Sequence, residues 1–166
     1  MTTKAAPIRR LLIATLTVGL SFGVPALVRA EPLNCVQFVQ RVSPVSLHGD
    51  AYKWWDNADG QYGRGTQPQP GSVMVFAKTR RLPHGHVAVV QQQLDDRTLL
   101  IDHANWSRFS GHRGTVEHAV RVVDVSSNND WSAVRVWYHS LGNVGDTVYK
   151  LRGFVYPKTP PRQHRH

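Results

Sequence analysis

Apolar side chains at Cys35, Phe38, Val39 and Val42 recur at i, i+3, i+4 and i+7, the spacing of one helix face. Asn34 stands directly before them as an N-cap, and Pro44 ends the run. The pattern predicts a short helix with Cys35 in its first turn. The stretch GDAYKWWDNA, residues 49–58, predicts a second short helix or helical turn rich in aromatic side chains. The segment GQYGRGTQPQPGS then carries Gly60, Gly63, Gly65, Pro68, Pro70 and Gly71, and reads as loop. From Ser72 the period changes. SVMVF (72–76), HVAVV (86–90), TLLID (98–102), AVRVVDV (119–125), AVRVWYH (133–139) and VYKLRGFVY (148–156) are β-branched and aromatic runs broken by turn residues. One or two helices followed by about six strands predict an α+β domain, with short N-terminal helices packed on a roughly six-stranded antiparallel sheet.

Ahead of residue 31 the pattern is of another kind. Lys4, Arg9 and Arg10 precede an apolar stretch over residues 11–28, and residues 28–30, VRA, suit a cleavage site. This predicts a secretory signal over residues 1–30, with an uncleaved anchor as the alternative. A single domain is then expected over residues 31–157, with a basic, Pro-rich tail over 158–166 that reads as disordered. The expected product is periplasmic or secreted, monomeric, and without stable membrane insertion after cleavage.

Charge narrows the partners. Residues 31–166 hold 16 of the 20 Lys and Arg and all 11 Asp and Glu, a net charge of +5. That balance suits an anionic surface such as a cell wall. No basic run reaches five residues, so nucleic acid is not an expected partner. Cys35 is the only cysteine, which rules out a disulfide within the chain and leaves an inert thiol, an intermolecular linker or a nucleophile. At a helix N-terminus the backbone dipoles favour a thiolate.

A thiol nucleophile needs a base, and the base needs a group to orient it. Of nine histidines, His86 opens the strand GHVAVV, where a side chain is both fixed and accessible. The stretch HVAVVQQQLDDRTLLIDHAN reads as a hairpin turning between Leu94 and Arg97. Any loop of even length there brings His86, His103 and Asn105 to one face and turns Asp102 to the other, because a one-residue slip flips every side chain. Both faces are apolar, so the pattern leaves the register open. The HGH at residues 84–86 has ligand-like spacing but no third partner, and neither metal nor cofactor is expected.

NCVQFVQ, GDAYKWWDNA, PQPGSVMVF, GHVAVV and LIDHANW, in this order, resemble the CHAP domain (cysteine, histidine-dependent amidohydrolase/peptidase) of the papain-like superfamily, over roughly residues 33–140. The resemblance implies Cys35 as nucleophile, His86 as base, and a catalytic set completed by His103 and Asn105. The family usually has an acidic residue at the third position, which makes Asp102 the rival of His103, and often has Asp where this chain has Ser72. The implied reaction is hydrolysis of an amide bond in peptidoglycan through a thioester, as an N-acetylmuramoyl-L-alanine amidase or a stem or cross-bridge endopeptidase. Trp54, Trp55, Tyr62 and Trp106 are expected to line the substrate groove. The alternatives are a catalytically silent wall-binding module of the same fold and a cysteine amidase acting on a small peptide conjugate.

Overall fold

The computed structural model describes residues 32–158 together with Thr2. The export signal expected over 1–30 and the tail expected over 158–166 lie, apart from Thr2 and Lys158, outside the described residues.

The first predicted helix is α1, Cys35–Val42. Asn34 caps it reciprocally: its side-chain oxygen accepts from the Gln37 backbone N–H at 2.9 Å, and the Gln37 side chain accepts from the Asn34 N–H at 3.2 Å. Phe38 and Val39 are buried, but Val42 is 55% exposed, so the packed face stops short of the last turn. Ser43 leaves the helix in an extended conformation, one residue before Pro44. The aromatic stretch forms a 3₁₀ turn, Ala51–Lys53, that runs into α2, Trp54–Asn57.

Eight strands follow: β1 Gly63–Gly65, β2 Val73–Phe76, β3 His86–Asp95, β4 Thr98–Ala104, β5 Val116–Asp124, β6 Ala133–Tyr138, β7 Asn143–Val144 and β8 Tyr149–Tyr156. Six of them occupy the six predicted runs. β1 lies in the segment read as loop. It pairs with β8 because Gly63 and Gly65 lie under the Tyr156 ring, where a Cβ on Gly65 would collide with the phenol oxygen. The glycines that suggest a loop are here the condition for a strand.

All neighbouring strands are antiparallel, in the order β1-β8-β2-β3-β4-β5-β6-β7. The expected sheet also closes. Ala133 and Val134 of β6 pair with Lys150 and Tyr149 of β8, which makes β2-β3-β4-β5-β6-β8 a six-stranded barrel. Closure removes two sheet edges that would otherwise be left unpaired.

Two cores result. Val73, Val75, Val87 and Val89 face outward onto Phe38, Val39 and Trp54 of the helical layer. Met74, Phe76, Ala88 and Val90 face into the barrel with Leu99, Ile101, Val122 and Phe154. β2 and the first half of β3 are buried on both faces, which is why they read as unbroken apolar runs. The second half of β3 is exposed.

Candidate active site

α1 and the start of β3 bring Cys35 beside His86. Backbone N–H groups of Val87, Val36 and Cys35 itself are directed at the Cys35 sulfur, so the sulfur sits one residue from His86. Gly85, directly before His86, lets the start of β3 pack against the 3₁₀ turn. It has φ +69°, and a Cβ there would come within 2.5 Å of the Tyr52 backbone nitrogen. Cys35, His86 and Asn105 line one cavity of about 400 Å³, together with Asp50, Arg81 and Arg113.

His86 and His103 project into the mouth of the barrel. Nε2 of His86 lies 3.0 Å from Nδ1 of His103, with one nitrogen donating to the other. Trp106 stacks on His103 with ring centroids 5.5 Å apart and packs against His86 at 4.8 Å. Phe76 meets the edge of His86 at 5.4 Å. Nε2 of His86 is therefore committed to His103, and Nδ1 is the nitrogen left for the cavity.

The register follows from three local features. The hairpin turns at Asp96-Arg97, a loop of two residues. Two irregularities in the β3–β4 ladder each add one residue to β3, so together they preserve parity. Val89 pairs with Asp102 and Val90 with Ile101, which leaves His103 on the face of His86. Asp102 points to the helical side of the sheet. There it accepts from Gln91 Nε2 at 2.7 Å, from His118 Nδ1 at 2.8 Å and from the Ala119 backbone N–H at 2.8 Å. Asn105 ends β4 at φ +65°. Ser72 bonds both ways with the Gln69 backbone and holds the turn before β2.

The electrostatics differ from the expectation at a helix start. Burial pushes the Cys35 thiol up from its ordinary value of 9.0, and the three backbone N–H groups offset only part of that. Burial, with the Arg113 charge adding to it, lowers His86 to about 3. His103 is held well below its ordinary value by burial and then by His86. The free site is a neutral thiol beside two neutral imidazoles.

The aromatic groove expected from the sequence is not what the fold builds. Trp54 is fully buried in the helical-side core, and Trp106 is 5% exposed behind the histidines. Trp55 lies under the Arg64 guanidinium, 5.2 Å away, against Gly153. The Tyr62 hydroxyl accepts from the Ser46 N–H at 3.2 Å. None of the four lines the Cys35 cavity. Aromatic side chains carry the largest apolar areas and have gone into packing. The groups that do line it, Arg81 and Arg113, come from turns outside every regular strand, and no periodicity marks them. Glu117 of β5 also lies beside the histidine pair, its Oε1 3.8 Å from Nε2 of His103, and the sequence does not mark it. A bulge aims it at His103, and a bulge leaves no sequence signature there.

The sequence of residues 29–105 matches the family model of the CHAP domain, from just before α1 to Asn105. The class is that of amidase- and peptidase-type hydrolases. The match supports a CHAP domain over that stretch of the chain. No curated protein matches it.

Proposed function

We propose that the protein is an exported, cysteine-dependent peptidoglycan hydrolase that cuts an amide bond in the periplasm or outside the cell. The observation that carries this reading is the shared cavity: Cys35 and His86 face it together, with His103 behind His86 at 3.0 Å. Nδ1 of His86 takes the Cys35 proton as the sulfur attacks the carbonyl carbon. The resulting oxyanion is met by the Cys35 backbone N–H at the helix start. The imidazolium returns its proton to the leaving amine, and the acyl group remains on sulfur as a thioester. Water, deprotonated by His86, then attacks the thioester, and the thiol is regenerated with release of the carboxylic acid. His103 orients His86. The net charge of +5 over residues 31–166, with Arg81 and Arg113 at the cavity, suits an anionic wall polymer.

Incubation of purified sacculi with the protein tests this. Soluble muropeptides are expected from the wild type and not from Cys35→Ala. Mass spectrometry of the products then separates an N-acetylmuramoyl-L-alanine amidase from a stem or cross-bridge endopeptidase. Intact sacculi after wild-type treatment would favour the silent module or the small-conjugate amidase.

A further inference from the structure

The described residues hold a buried nitrogen without a partner in the site itself. Nε2 of His103 makes no hydrogen bond. The Glu117 carboxylate faces it, with Oε1 3.8 Å away. Glu117 is 7% exposed, and the same oxygen accepts the Ser107 backbone N–H at 2.7 Å. A carboxylate is rarely buried this deeply without a structural or chemical reason.

The bulge between β4 and β5 is what points it there. Ile101 pairs with Val120, but His103 pairs with Glu117, so β5 carries one extra residue between them. In an unbroken ladder His103 would face His118, and Glu117 would lie on the opposite side of the sheet. The extra residue is accommodated at Ala119, whose φ is +51° and whose N–H is held by Asp102 Oδ1 at 2.8 Å. Asp102, the rival third member in the sequence, thus holds the kink that brings another acid to the site.

We infer that Glu117 is a fourth member of the site, a positioning residue that selects the tautomer of His103 and, through it, that of His86. The inference rests on the Cys35–His86 reading given above. Two arrangements of the neutral pair are open. In one, His86 donates from Nε2, His103 accepts at Nδ1, and the His103 proton sits on Nε2 facing Glu117. In the other, His103 donates from Nδ1 and turns the Nε2 lone pair towards the carboxylate, while the His86 proton moves to Nδ1. Only the first leaves Nδ1 of His86 unprotonated and able to accept from Cys35. The Glu117 charge favours it, because an N–H rather than a lone pair then faces the anion. Burial keeps both rings neutral, so the tautomer is the property that decides function. The same carboxylate stabilises the imidazolium that forms during attack.

Nitrogen-15 NMR of the full chain labelled at histidine reads the tautomers directly. The wild type is expected to show His86 and His103 both protonated at Nε2, and a wild-type His103 protonated at Nδ1 would overturn the inference. Glu117→Gln keeps the volume and an acceptor for Ser107 but removes the charge. It is expected to populate the other tautomer and to lower kcat on the order of 100-fold or more with KM nearly unchanged. Wild-type kcat together with an unchanged His103 signal in Glu117→Gln would also overturn it. Glu117→Asp is expected to regain part of the loss. The wild-type spectrum is decisive even if Glu117→Gln unfolds. Hydrolysis retained by Cys35→Ala would sink the cysteine mechanism instead, and leaves the spectrum to judge the tautomer separately.

Discussion

At the scale of single residues, the site combines a thiol and imidazoles that are all neutral before substrate arrives. The Cys35 thiol is raised by burial, so a helix N-terminus alone does not produce a reactive thiolate here. Alkylation of the free protein by iodoacetamide is therefore expected to accelerate only above the ordinary thiol value of 9.0. A rate already at its plateau near neutral pH would show a preformed thiolate and contradict the neutral pair. Much of this was readable beforehand. Asn34 before an i, i+3, i+4 run placed Cys35 at a helix start, and the spacing between His86 and His103 placed both on one face for any even turn. Arg113 and Glu117 were not readable. The first lies outside every regular strand, and the second is aimed by a bulge at residues whose alternation suggests nothing unusual. Trp54 misled, because an aromatic that is 0% exposed looks the same in sequence as one that binds ligand.

At the scale of elements, the register of β4 against its neighbours decides which side chains can act. The six main strands were legible from β-branched runs, but the turn centre was not. The hairpin turns later than the sequence suggests, and two irregularities in β3 restore the parity. The β4–β5 bulge has a different consequence, since it has no compensating partner on the way to Ala104. Asp102 holds it through the Ala119 N–H at 2.8 Å. Asp102→Ala leaves that half-buried N–H and the Gln91 amide without their acceptor, and is expected to cost about 1–3 kcal/mol of stability. Equilibrium denaturation measures the loss. Activity is expected to fall further than stability, because relaxation of the bulge moves Glu117 off His103. A variant with wild-type stability and wild-type kcat would show that the bulge holds itself and that Asp102 is dispensable.

At the scale of the molecule, a closed barrel carries the histidine pair in its mouth, and a thin helical layer supplies the sulfur. Closure was not legible, because the β6–β8 pairing joins strands separated by a turn and a further short strand. Burying the imidazoles has a global consequence. The folded state holds His86 neutral down to about 3, whereas an unfolded chain protonates it near 6.5. The unfolded state binds more protons throughout that window, so stability present above 6.5 is lost as the pH falls towards 3. The slope is about 1.4 kcal/mol per pH unit for one such histidine, and His103 acts in the same direction. Thermal unfolding is expected to show Tm dropping across this range, less steeply in His103→Gln; an unchanged Tm would mean that water reaches the rings. The central claim is that the Cys35 sulfur carries the acyl group, and acid-quenched mass spectrometry during turnover of a muropeptide tests it most directly. The expected result is a transient acyl adduct on the peptide containing Cys35, lost together with turnover in Cys35→Ala; continued turnover in that variant would contradict it.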